Sequence, residues 1–155
     1  MSGNVGPYFE DLSAGQTIEH SGGRTILDAD NTWFTLLTCN NNEVHYNTDY
    51  AAKREFGQIL VNSCLTLAVI TGLSVADISR NAVNLGWDNV RMPKPVFLGD
   101  TLYARSEVLA TRPSGSRPGS GIVQFRTTGF KQDGTVVMEF DRTIMIPRRE
   151  PAASR

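Results

Sequence analysis

The run QILVNSCLTLAVITGLSVADISR, residues 58–80, constrains the fold more than any other part of the sequence. Apolar side chains occupy nearly every face of a helix built from it, and small residues such as Ala68 and Gly72 are scattered along it. The run is too long for one strand and ends in helix-favouring residues, so it predicts a helix that starts near Asn62. Because a helix that is apolar all round must be buried all round, we expect the rest of the chain to wrap around it.

Two shorter helices are predicted before this run. In DADNTWFTLLTC, Asp28 or Asp30 can cap the start of a helix. In NTDYAAKREFG, Asn47 or Thr48 is the expected cap and Gly57 the expected stop. Earlier still, QTIEHSGGRTIL alternates in the manner of a strand or a hairpin, interrupted by a glycine pair.

From Asn81 onward the sequence is typical of β-strands. NLGWDNVRMPKPVFLGDTLYARSEVLATRPS contains two alternating runs, and GIVQFRTTGFKQDGTVVMEFDRTIMIP contains two more around an Asp133-Gly134 hairpin signal. The segment RPSGSRPGSG between them is predicted to be a flexible loop. One buried helix and roughly five antiparallel strands indicate an α+β fold in which a sheet wraps a helix.

Size and composition exclude several classes of protein. The chain has 155 residues, which favours one domain over 1–155 with flexible ends at about residues 1–7 and 149–155. With 40% hydrophobic and 20% charged residues, it is typical of neither a disordered nor a membrane protein. The formal net charge is -1, and we interpret the isolated Arg148-Arg149 pair as part of a solvated tail. These charges therefore do not indicate a nucleic-acid or membrane partner. No secretory pattern is visible, so a cytoplasmic location is expected.

Cys39 and Cys64 are far apart in the sequence and belong to no Cys-x-x-Cys or Cys/His cluster, so no metal site is predicted. We interpret them as reduced and mostly buried thiols. No phosphate loop or glycine-rich dinucleotide motif is present. His20 is expected to be structural or exposed.

The stretch TCNNNEVHYN places His45 in a polar loop between two predicted helices. Consecutive asparagines are typical of a turn, so the loop alone is compatible with either a surface linker or an active site. The loop, the helix DYAAKREFG, the run LVNSCLTL and the later VRMPKPVFLGDTLYARSEVL together resemble the MaoC-like dehydratases, the hydratase branch of the hotdog fold. The resemblance extends from about Tyr8 to Arg148.

The resemblance implies a single hotdog domain, in which an antiparallel sheet wraps a long central helix. It also implies a homodimer or higher homo-oligomer, with acyl-CoA lying along the dimer interface. The implied reaction is the addition of water to an enoyl-CoA thioester, or its reversal. No cofactor is expected, because coenzyme A is part of the substrate.

The resemblance assigns catalytic roles to His45, Asn40 and Ser63. His45 matches the family's catalytic histidine, whereas Asn40 stands where the family has aspartate, and an amide can orient water but cannot accept its proton. Hydration would then depend on His45 as general base, unless the loop turns Glu43 inward to supply a carboxylate. Ser63 opens the central helix, where the family binds the thioester oxygen through a backbone N–H.

The substrate is predicted less directly. TLLTCN, VNSCLTL and NLGWDNVR resemble a subgroup associated with branched dicarboxylic acyl-CoAs such as itaconyl-CoA and mesaconyl-CoA. A second carboxylate needs a cation, for which Arg24, Arg54 and Arg91 are candidates. The predicted substrate-binding residues are Asn42, Asn62, Arg54 and Arg91, and the predicted core or tunnel-wall aromatics are Trp33, Phe34, Trp87 and Phe97.

Three alternatives remain open from the sequence. One is a hydratase of straight-chain enoyl-CoA. Another is a hotdog thioesterase, a class that usually has a carboxylate near the start of the central helix, where this chain has Asn62 and Ser63. The last is a catalytically weakened domain that binds acyl-CoA.

Overall fold

The computed structural model describes residues 6–149, and most of the predicted flexible ends lie outside them. The helices are α1 (Asp28–Leu37), α2 (Thr48–Ala52) and α3 (Ser63–Ser74), and a π-helical segment, Val75–Ser79, continues α3. The strands are β1 (Thr17–Glu19), β2 (Arg24–Thr25), β3 (Val83–Arg91), β4 (Thr101–Pro113), β5 (Ser120–Lys131) and β6 (Val136–Pro147). Short 3-10 turns occupy Phe9–Asp11 and Glu43–His45.

A single antiparallel sheet has the strand order β1-β4-β5-β6-β3, and β2 also pairs with β4. The four strands predicted after Asn81 are confirmed. The hairpin between β5 and β6 turns at Gly134, which has a φ of 83°. The Thr135 N–H donates to the carboxylate of Asp133 in the same turn and thereby lowers the pKa of that carboxyl. The alternative of a hairpin in QTIEHSGGRTIL is wrong, because β1 and β2 each pair with β4 and not with one another.

Helix α3 packs on the inner face of the sheet. Leu65 and Ile70 are buried in one cluster with Phe140 of β6, and each such side chain contributes about 1.5–3 kcal/mol by leaving water. The approach at Gly129 of β5 is close, since a Cβ there would lie 2.5 Å from Ile70 Cδ1. The predicted start of α3 near Asn62 is confirmed, and Asn62 is its N-cap.

One face of α3 contradicts the prediction that this helix is buried all round. Cys64, Ala68 and Gly72 recur every four residues on that face and are exposed in the single chain. The sheet covers the opposite side of the helix, and the small residues leave little apolar surface on the open side. The prediction that both cysteines are mostly buried is therefore wrong, because Cys39 is exposed as well.

Polar side chains anchor the far end of α3. His20 was predicted to be structural or exposed, and the first alternative is confirmed. Its Nδ1 lies 2.9 Å from Asp77 Oδ2, and its Nε2 lies 2.8 Å from Ser106 Oγ. Arg142 donates to Ser74 Oγ at 3.2 Å, and burial lowers the pKa of its guanidinium. These contacts connect the end of the helix to β4 and β6.

The aromatic residues divide between core and surface. Phe34 packs against the main core cluster, and Phe97 contacts Phe56 with ring centroids 5.8 Å apart. Trp33 and Trp87 are 74% and 43% exposed, so the prediction of core positions is wrong for both. Trp33 lies on the outer face of α1, and Trp87 lies on β3 at the edge of the sheet.

The segment predicted to be a flexible loop is a hydrogen-bonded connection between β4 and β5. The Ser114 N–H donates to the Ser120 carbonyl at 3.0 Å, and the Arg117 N–H donates to Ser114 Oγ at 3.1 Å. Arg148 and Arg149 are exposed as predicted, although they also form ion pairs with acidic residues of the first 3-10 turn. Across residues 6–149, no helix combines the length and the apolar character needed to cross a membrane.

Helix α1 ends in a Schellman motif. The Cys39 N–H donates to the Leu36 carbonyl at 3.1 Å, and the Asn40 N–H donates to the Thr35 carbonyl at 3.0 Å. Cys39 has a φ of 59°, the left-handed conformation that glycine usually provides at this position. The motif therefore fixes the backbone of Asn40 at the cost of a Cβ in an unfavourable conformation.

We expect Cys39→Gly to raise the free energy of unfolding by about 1 kcal/mol, because it relieves the left-handed strain at an exposed position. Urea denaturation followed by circular dichroism measures the change. Cys39→Ala is the matched control, since it removes the thiol and keeps the Cβ. An equal gain in both variants would contradict the backbone explanation.

Candidate functional site

The loop after α1 is shaped by its own asparagine side chains. Asn40 Oδ1 accepts from the Asn42 N–H at 3.0 Å, and Asn42 Oδ1 accepts from the Val44 N–H at 3.3 Å. Glu43 is exposed and accepts from Asn47 Nδ2 at 2.7 Å. Asn42 is thus the N-cap of the 3-10 turn that carries His45, and the carboxylate of Glu43 is engaged with α2.

The imidazole of His45 is buried, with the residue 9% exposed. Its Nδ1 lies 2.8 Å from the carbonyl oxygen of Leu60. A carbonyl only accepts, so in this hydrogen bond Nδ1 carries the proton, and in the neutral imidazole Nε2 then has the free lone pair. The contact with Leu60 therefore leaves His45 in the tautomer that a general base requires at Nε2.

Asn31 of α1 connects the His45 turn to the start of α3. Its side chain is fully buried, and Nδ2 donates to the His45 carbonyl at 2.8 Å and to the Leu60 carbonyl at 3.2 Å. Its Oδ1 accepts from the Asn62 N–H at 2.8 Å. Asn31 was not among the predicted site residues; its signal in the sequence is a polar residue one helical turn before Phe34.

Asn62 and Ser63 form the start of α3. Asn62 is 3% exposed. Its Oδ1 accepts from the Cys64 N–H at 2.9 Å and its Nδ2 donates to Thr35 Oγ1 at 3.2 Å, so its side chain is hydrogen-bonded within the chain. Ser63 follows as an exposed residue, and as the first residue of α3 it has an N–H that no carbonyl of the helix accepts. The dipole of α3 favours negative charge at this point.

A cavity of about 330 Å³ opens beside Ser63. Leu60, whose carbonyl holds His45, is part of its wall. Of the three predicted catalytic residues, Ser63 alone is part of this wall in the described chain. The wall is otherwise mostly apolar; it consists of Phe56, Leu60, Val61, Ser63, Thr66, Met92, Pro93, Lys94, Pro95, Val96, Val137 and Met138.

The arginines predicted to bind a carboxylate lie elsewhere. Arg24 pairs with Asp30 at 2.7 Å, and the guanidinium of Arg54 lies 4.1 Å from the ring centroid of Tyr50. Arg91 lines a separate, polar depression with Asn89, Arg126, Glu139, Phe140 and Asp141. Lys94, which was not among the predicted site residues, contributes a cation to the wall of the apolar cavity. In the part of the chain that the structure describes, no cluster of His, Cys, Asp and Glu is suited to hold a metal ion.

Comparison with known proteins identifies both the family and the fold. The family model described as mesaconyl-CoA hydratase matches residues 2–155. The mesaconyl-CoA hydratase of Cereibacter sphaeroides is 34% identical over 154 residues, which are 99% of this chain and 45% of that protein. The chain spans less than half the length of the mesaconyl-CoA hydratases that it matches.

Solved structures agree with this family assignment. A MaoC-domain protein of Chloroflexus aurantiacus has a TM-score of 0.90 and 33% identity, over 99% of this chain and 44% of that one. A Mycobacterium tuberculosis protein with a double hotdog fold has a TM-score of 0.86 and 27% identity, over 97% of this chain and 47% of that one. The predicted α+β hotdog fold and the resemblance to MaoC-like hydratases are confirmed.

We expect Asn31→Ala to lower the free energy of unfolding by roughly 2–4 kcal/mol, because it leaves the Asn62 N–H and two carbonyls without their buried partner. Chemical denaturation measures the loss. Thr32→Ala, which removes one side-chain hydrogen bond to Asp28 on the exposed side of α1, is the control and should cost less than about 1 kcal/mol. Equal losses in the two variants would show that Asn31 has no special part in the site.

Proposed function

The chain belongs to the mesaconyl-CoA hydratase family, and from this membership and the site geometry we propose that it is a hydro-lyase. It adds water to the double bond of a short branched dicarboxylyl-CoA, or removes it. The observation that carries the proposal is the hydrogen bond from His45 Nδ1 to the carbonyl of Leu60, a residue that lines the same cavity as Ser63; the bond leaves His45 Nε2 to act as the base. The reaction needs no cofactor, because coenzyme A belongs to the substrate.

The proposed mechanism divides the work between His45 and Ser63. The thioester oxygen accepts a hydrogen bond from the Ser63 N–H, where the dipole of α3 stabilises the enolate that forms as water adds to the β-carbon. His45 Nε2 removes the proton from that water and then delivers it to the α-carbon, so that one water is added overall. Asn40 orients the water through its amide and takes no proton.

The remaining predicted residues have supporting positions. Asn42 and Asn62 cap the His45 turn and α3, so we propose that they shape the site from within the chain. Glu43 bonds to Asn47, which argues against its serving as the base in place of Asn40. The apolar wall of the cavity also suits a straight-chain enoyl group, which stays the second candidate substrate.

We expect purified protein to consume the enoyl-thioester absorbance of mesaconyl-CoA, without release of free thiol. His45→Ala should lower kcat/KM by about 10²–10⁴-fold, because the general base is lost. Tyr46→Phe, which changes the neighbouring residue without touching the base, is the control. Steady-state absorbance with a parallel thiol assay makes the measurement.

Other outcomes of the assay identify the alternatives. Free thiol would indicate a thioesterase. Faster turnover of crotonyl-CoA than of mesaconyl-CoA would indicate a straight-chain hydratase. Binding of acyl-CoA without turnover, combined with a large gain of activity in Asn40→Asp, would indicate a weakened site.

We also propose that two copies of the chain pair along β3. In the described residues β3 pairs with β6 alone, and its exposed side chains include Val83 and Leu85, each 52% exposed. Pairing at this edge would place the exposed faces of two α3 helices, with Ala68 and Gly72, beside one another. The double hotdog fold of the Mycobacterium tuberculosis relative supports the pairing of two such units. The cytoplasmic location stays a prediction.

We expect Ala68→Trp to convert the dimer into a folded monomer, because a large side chain fits in the exposed space of one copy but not between two helices. Analytical ultracentrifugation measures the mass, and circular dichroism shows whether the fold is kept. Ala29→Trp, at an exposed position of α1, is the matched control. A dimer that persists in Ala68→Trp would rule out this interface.

A further inference from the structure

The proposed substrate carries a carboxylate, and none of the predicted arginines lines the apolar cavity. If the thioester oxygen lies at the Ser63 N–H, the acyl group extends into the cavity that Ser63 helps to line. Its free carboxylate is then three carbon–carbon bonds from the thioester carbon. Most of the wall is apolar, and an unpaired carboxylate against such a wall is strongly disfavoured.

Lys94 is the charged residue of this wall. Across residues 6–149 its ammonium group forms no ion pair, so in the described chain it is available to an anion. The other polar wall residues, Ser63 and Thr66, are neutral. Lys94 is therefore the one side chain of this wall whose charge can compensate a carboxylate.

The sequence around Lys94 holds it at the cavity. Pro93 and Pro95 flank it, and both line the same wall. A proline restricts its own φ and confines the preceding residue to extended conformations, so the backbone of Lys94 has little freedom. From this restricted backbone, the long side chain of Lys94 carries an ammonium group, a compact charge with three hydrogen-bond donors.

We infer that Lys94 binds the free carboxylate of the acyl group and is the residue that selects a dicarboxylyl-CoA over a monocarboxylic one. This inference rests on the proposed function. It replaces Arg24, Arg54 and Arg91, because the first is paired with Asp30, the second stacks on Tyr50 and the third lies in a separate depression. In this inference the thioester end of the acyl group lies at Ser63 and its carboxylate lies at Lys94, two residues that line the same cavity.

Two substrates that differ only in the carboxylate test this inference. They are mesaconyl-CoA with its thioester next to the methyl-bearing carbon, and 2-methylbut-2-enoyl-CoA of the same double-bond geometry, in which a methyl group replaces the carboxylate. In Lys94→Met we expect the ratio of kcat/KM for the first to that for the second to fall by roughly 10–100-fold, since a charge-assisted hydrogen bond is lost. Lys94→Arg should keep most of the ratio.

Lys53→Met is the matched control, because Lys53 is an exposed lysine paired with Asp49 on α2. Its ratio should equal that of the wild type. An unchanged ratio in Lys94→Met overturns the inference, and so does an equal loss on both substrates, which would place Lys94 against the coenzyme A moiety. A fall of the ratio in Arg54→Met or Arg91→Met instead would assign the carboxylate to that arginine.

A binding measurement separates failure of this inference from failure of the proposed function. If the wild type hydrates neither compound, calorimetry compares the saturated analogues methylsuccinyl-CoA and 2-methylbutyryl-CoA. If the wild type binds methylsuccinyl-CoA more tightly and Lys94→Met loses this preference, the role of Lys94 is supported, although the hydratase proposal has failed. No preference in the wild type overturns both.

Discussion

The buried amide of Asn31 is the interaction on which the geometry of the site depends. It joins α1, the His45 turn and the start of α3, three segments that no regular secondary structure connects. Each of these hydrogen bonds satisfies a backbone group that is expensive to leave unpaired in the interior. The amide therefore fixes the position of the His45 backbone relative to the start of α3.

Helix α3 serves both the core and the chemistry because its two ends and its faces differ. Its N-terminus presents the Ser63 N–H, which no carbonyl of the helix accepts, at the positive end of the helix dipole. At the far end, Arg142 bonds to Ser74, and His20 bonds to Asp77 in the π-helical continuation. One side packs on the sheet and the opposite side is small and exposed. Anchoring at the far end keeps the N-terminus in place, and the exposed side remains available to a second copy.

In the proposed mechanism, the asparagine at position 40 leaves His45 as the only base. A carboxylate there would share the proton of the attacking water, whereas the amide only orients it. Glu43 does not compensate in this structure, because its carboxylate is bonded to Asn47 on the outside of the loop. In the proposed mechanism catalysis depends on the tautomer of His45, which the Leu60 carbonyl favours through a backbone contact that the sequence pattern does not reveal.

The sequence by itself determined the order and type of the main elements, the α3 start at Asn62 and the hairpin at Gly134, since these follow from local periodicity, capping and turn chemistry. It also located the loop of His45. Only the tertiary structure decided that Asn31 joins the site and that Lys94 lines the cavity. It likewise decided that Trp33 is exposed. Local patterns show that a residue is polar or apolar, but packing between distant segments decides which face is covered and which side chains meet there.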